Sequence, residues 1–385
     1  MKNSRNRKLI KASVTLFSCL LLALFGGQRR VYASEEFDIQ SQYEASGAED
    51  AFDRLPESVR EELDSAGIDA GDITTAQTLQ PAGVLNSVVR MTGDEVNAPL
   101  GALGLMIALL LFASVCRGGE SAAESPLSPS LNAVTSLAVG TALILPTASL
   151  MDAADEAAAT ACSFTEAFGA VFAGILIANG QTASAAGYSA FLTGAIEASS
   201  ICASEVVLPM LRIFLALSCV SAVSENVRID AVIRFFEKYA KWLLGFMAMM
   251  ISTVLGISGV IAASADSVGA RAAKFVISGS VPVVGGAMSD AYLSIKSGMT
   301  LLRNSTGAFG IIATAYIFLP VIIRTLLWSF VVGTGEAVCE SMHLSDIQKL
   351  MKSLSSALSL LMGTLVFSLF LLTLGGIIVL MQRSL

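Results

Sequence analysis

GAFGIIATAYIFLPVIIRTLLWSFVV, residues 307–332, is a continuous apolar run broken by one charge, Arg324. At about 1.5 Å of helical rise per residue it outreaches the roughly 30 Å hydrocarbon core of a bilayer. Comparable runs recur at 99–115, 131–151, 161–179, 183–203, 206–223, 242–263 and 355–381. With 54% hydrophobic and 14% charged residues, the chain lies outside the range of soluble proteins, in which charged residues make up about a quarter. Transmembrane β-strands would show as segments of about ten residues alternating apolar and polar, whereas these runs are unbroken. The expected fold is all-α: a polytopic helical membrane protein with about seven or eight spans over residues 99–385. The runs 161–179, 183–203 and 206–223 are interrupted by Glu166, Glu197, Glu205 and Arg212, and read as two spans, three spans, or partly re-entrant segments.

The N-terminus has the form of a secretory signal. Lys2, Arg5, Arg7, Lys8 and Lys11 precede an apolar core from Val14 to Gly27, and Val31-Tyr32-Ala33 offers a cleavage site after Ala33. Arg29 and Arg30 between core and cut site leave an uncleaved signal anchor as the alternative. Residues 1–33 hold seven of the 24 basic residues and none of the 31 acidic ones; the remainder carries 17 against 31, a net charge of −14. So acidic a chain is a poor partner for nucleic acid, which needs a basic surface.

Residues 34–98 carry 15 acidic residues, three arginines (Arg54, Arg60, Arg90) and no spanning run, and read as a short exported acidic segment. Within it LPESVREELDSAGID predicts one helix, opened by Pro56 with Glu57 in its first turn, presenting Val59 and Leu63, and ending near Gly67. Orientation follows the basic residues. Arg228, Arg234, Lys238 and Lys241 place segment 224–241 on the cytoplasmic side, and Arg117 does the same for loop 116–130. Both assignments need an even number of crossings between them, which counts 183–203 as a span.

Two sets of small residues spaced by four, Ala170, Gly174 and Ala178, and Ala248, Ser252 and Gly256, are candidate helix-packing seams. They serve packing within one subunit or between identical subunits. The scattered cysteines lack metal or redox spacing and mostly read as small hydrophobes.

One stretch resists reading as a spanning helix. SGSVPVVGGAMSDAYLSIKSG, residues 278–298, holds Pro282, Gly285, Gly286, Ser289, Asp290 and Lys296 between apolar segments. Proline removes a helical hydrogen bond, and non-helical backbone at membrane depth survives only where protein or water covers it. The expected form is a re-entrant or broken-helix element, with the glycines permitting a tight turn or close approach. The decapeptide from Pro282 to Ala291 resembles the signature of the stage III sporulation protein AE family. The signal-like start, the LPESV helix at 55–59, the multispanning body and the length are similar too. The resemblance implies a place in the mother-cell membrane around the forespore, beside the other proteins of the stage III A operon. With a forespore-side partner, these would form a channel or secretion complex required for forespore development. A homo-oligomer is compatible with the packing seams.

Enzymatic readings find little support. GISG at 256–259 matches the short nucleophile motif of rhomboid-type proteases, but Ser258 needs a base, and the single histidine, His343, lies in a polar loop. No zinc, Walker or dinucleotide pattern is present, so no cofactor or metal is expected. The stronger signal is Arg324, a charge deep in a spanning run, where it needs a partner or water. Asp290 is the candidate partner, with a polar path the alternative. A permease or secondary transporter, with the broken helix holding solute, is the alternative to the channel component.

Overall fold

The computed structural model describes residues 54–68, 81–120, 128–223 and 285–381, with Phe52 and parts of 235–253. Among the described residues every regular element is helical: α1 Glu57–Ser65, α2 Pro81–Glu95, α3 Asn97–Glu120, α4 Ser128–Ala178, α5 Thr182–Ser200, a π-helical turn Ile201–Val207, α6 Leu208–Val223, α7 Gly285–Ser341 and α8 Ser345–Met381. Among these described residues five stretches are long and apolar enough to cross a membrane: Asn97–Val115, Leu137–Ala178, Thr182–Ser218, Met299–Ser341 and Ile347–Leu374.

The sequence divides where the structure does not. Runs 131–151 and 161–179 lie on the single helix α4, and runs 183–203 and 206–223 lie on the continuous α5–π–α6 rod. Each pair therefore supplies one candidate crossing rather than two. The acidic residues between the first two runs do not stop the helix, because Asp152 and Glu156 simply turn outward. Pro146 and Pro320 lie inside α4 and α7, which run through them at the loss of one ladder bond each. Run 242–263 falls largely outside the described residues, as do the signal region and Pro282.

Helix ends follow local chemistry. Gly67 (φ +80°) and Gly180 (φ +73°) take the left-handed conformation that closes α1 and α4, with Ile68 donating to the Leu63 carbonyl and Gln181 to the Leu176 carbonyl. His343 (φ +58°) does the same between α7 and α8, where Leu344 donates to the Cys339 carbonyl. The turn after α4 is tied to α7 by Asn179 Nδ2, which donates to the Met299 carbonyl at 2.8 Å.

The core is built around α7 and α8. An aromatic ladder on α4, Phe164, Phe168 and Phe172, stacks at 5.4 and 6.3 Å between ring centroids and reaches Tyr188 on α5 at 5.1 Å and Phe309 on α7 at 6.1 Å. Glycine makes room for it: a Cβ on Gly310 would lie 2.1 Å from the Phe168 ring, and one on Gly307 would lie 3.0 Å from Phe172. The N-terminal segment joins this core. Leu55, Leu63 and Ile68 are fully buried, and Phe52 meets Phe309 at 5.9 Å.

Candidate functional site: ion pairs at one level of the bundle

Arg324 pairs with Glu95, the last residue of α2. Its Nε donates to Glu95 Oε2 at 2.8 Å and its Nη2 to Oε1. The two-point fork matches a guanidinium to a carboxylate, the strongest form of such a pair. Side-chain exposures of 39% and 29% put it half in solvent and half in protein, so neither charge is fully desolvated.

Asp290 is not the partner. Residues 285–341 form one helix, and the 34 positions from Asp290 to Arg324 span about 51 Å at 1.5 Å each. Gly285, Gly286, Ser289 and Asp290 open that helix rather than forming a turn, so any break in the element lies before Gly285 and outside the described residues. Ser258, Ala248, Ser252 and Gly256 lie there too.

A second pair joins α6 to α4: Arg212 Nη2 lies 2.8 Å from Asp152 Oδ1 and 3.9 Å from Asp155 Oδ2. The two pairs share a level. Antiparallel helices α4 and α7 meet at Asn179 with Met299 and at Phe168 with Phe309. Stepping along both at the same rise brings residues near 154 beside Arg324. Helix α3 runs parallel to α7: Glu95 meets Arg324, and eleven residues on along both, Met106 meets Gly335. Further along the bundle Arg303, buried, donates to Gln181 Oε1 at 3.1 Å and to Asn304 Oδ1.

Ala170, Gly174 and Ala178 are exposed and face away from the chain's own core. The phenylalanine ladder also repeats every four residues and occupies the opposite face of α4. Large side chains take the core, and the small triad is left outside. The close helix approaches are made instead by Gly169, Gly307 and Gly310.

Sequence reasoning found Arg324 and missed Glu95. A signal existed, since Asp94 and Glu95 stand immediately before the run 99–115, but Asp152 and Asp155 border runs in the same way.

Five long apolar helices around a buried aromatic core, with ion pairs at one shared level, define the class: a multi-pass helical membrane protein. The sequence pattern of the stage III sporulation protein AE family matches residues 70–382, most of the chain, which therefore belongs to that family. A relative named stage III sporulation protein AE, from Bacillus subtilis (strain 168), is 25% identical over 187 residues; the match covers 49% of this chain and 47% of the relative, about half of its length. No solved structure matches the chain.

Proposed function

We propose that the chain is a membrane-embedded component of a channel or secretion complex linking mother cell and forespore. Membership of the stage III sporulation protein AE family carries this reading. Two structural features agree with it. The Glu95–Arg324 pair holds α2 against α7, presenting the N-terminal segment in a fixed pose for docking partners. The exposed face at Ala170, Gly174 and Ala178 has the small residues that let a neighbouring helix approach closely, with nothing among the described residues within 4 Å of a Cβ built on Gly174. Its neighbours in this reading are the other stage III A proteins, a forespore-side partner and further copies of itself. The test is genetic. A sporulating strain lacking the chain should grow normally, complete engulfment, and then stall with small forespores and no late forespore transcription. Normal counts of heat-resistant spores refute the proposal.

A further inference from the structure

The apolar stretches of α4 and α7 are 42 and 43 residues long, about 63 Å each at 1.5 Å per residue, against a hydrocarbon core of roughly 30 Å. A bilayer therefore covers about half of either helix. The geometry points to the half beside α3 as the lipid-embedded one. The Glu95–Arg324 and Asp152–Arg212 pairs then sit at one membrane boundary, and the half built on the Phe164–Phe168–Phe172 ladder stands outside the bilayer, on the side that holds α1 and α2.

Three observations carry this independently. The first is length. Helix α3 has an apolar stretch of 19 residues, Asn97–Val115, about 28 Å, starting two residues after Glu95. From Arg324 to the end of α7 at Ser341 is about 26 Å, so one slab accommodates both.

The second is what the long helices expose. On the α3 side these include Leu105, Phe112, Leu137, Ile213, Leu326 and Phe330, and the exposed charges there, Glu340, Lys349 and Lys352, lie toward the far end around the α7–α8 turn. Beyond the ion pairs, α4 and α5 turn out Glu156, Ser163, Glu166, Ser189, Thr193 and Glu197. On these elements large exposed apolar side chains are fewer: Ile177, Ile201 and Val206 on α4 and the α5–π–α6 rod, and Leu85 and Val89 on α2. Acyl chains accept the first surface, and carboxylates at such density do not belong in lipid.

The third is α1. It is fixed by Leu55, Val59 and Leu63 against the core near Phe309, and it exposes Arg54, Glu57, Glu61 and Asp64. Were the ladder half in the bilayer, all four charges would lie in hydrocarbon. Trp242 fits the same boundary, because its near neighbour Leu244 packs beside Gly363, which lies level with Arg324, and tryptophan favours the interface.

Site-directed spin labelling of the full chain in nanodiscs tests the assignment. Single cysteines would replace Leu105, Leu137 and Phe330 on one side, and Ser163, Ser189 and Thr193 on the other, in a chain freed of its native cysteines. Collision with oxygen, which partitions into lipid, is compared with collision with a water-soluble nickel chelate. The first set should be oxygen-dominated. The second should be nickel-dominated, or shielded from both reagents where another subunit covers it. Oxygen-dominated relaxation throughout the second set overturns the assignment, as does nickel-dominated relaxation throughout the first. The readout is independent of sporulation, so it stands or falls apart from the proposed channel role.

Discussion

Separating Glu95 from Arg324 should loosen the N-terminal helices from the bundle at a cost that can be worked from the geometry. The contact is two charge-assisted hydrogen bonds, each of a kind worth about 1.5–3 kcal/mol when well shielded. Fully exposed ion pairs contribute about 0–1 kcal/mol. With the two side chains 39% and 29% exposed, the pair falls between these limits, and a coupling energy of about 1–2 kcal/mol is expected. The assay is a double-mutant cycle of Glu95→Gln, Arg324→Met and both together, read as unfolding free energies in mixed dodecyl maltoside and SDS micelles by circular dichroism. Each single variant should lose about 1–2 kcal/mol, and the double variant should lose much less than their sum. Limited proteolysis gives a local readout, with cleavage between α1 and α2 accelerating in either single variant. A coupling energy below about 0.3 kcal/mol, the scatter of independent sites, refutes the reasoning.

Three further outcomes are expected. Gly310→Ala puts a Cβ 2.1 Å from a Phe168 ring wedged between Phe164, Phe172 and Phe309. Overpacking of about 1–3 kcal/mol exceeds the roughly 0.5–1 kcal/mol gained in helix propensity, so the thermal unfolding midpoint should fall. His343→Gly relieves the left-handed backbone at φ +58° and should stabilise the turn between α7 and α8 by about 1 kcal/mol, raising that midpoint. A Cβ built on Gly174 meets no atom of the described residues within 4 Å, so Gly174→Leu extends from an open face of α4. It should leave unfolding within about 0.5 kcal/mol of the parent while lowering spore yield, and an unchanged yield removes the packing face from the proposed assembly.

Much of this fold is legible in the sequence because apolar runs of spanning length have few alternatives. The α1 helix is legible in detail: Pro56 opens it, Gly67 closes it, and Val59 and Leu63 are buried. The division into spans is not, because charged residues do not by themselves end a helix. Residues 151–165 hold Asp152, Asp155 and Glu156 but no glycine or proline, and the alanines among them are strong helix formers, so nothing stops α4 there. Arg324 announces itself by its cost in a spanning run, but its partner lies 229 residues away, beyond any local pattern. The packing triad shows the complementary limit: spacing identifies a face of α4, and only the neighbouring phenylalanines decide which face turns inward.

That separation of 229 residues is also an interval of time. At a synthesis rate of about 5–20 residues per second, roughly 10–45 s pass between the emergence of Glu95 and that of Arg324. Throughout it, α1 and α2 have no α7 to rest on, and the apolar side chains of Leu55, Leu63 and Ile68 lack their final cover. The N-terminal helices are thus the first of the described elements to be made and among the last to find their place, and any factor that shelters nascent apolar surface has its longest opportunity there.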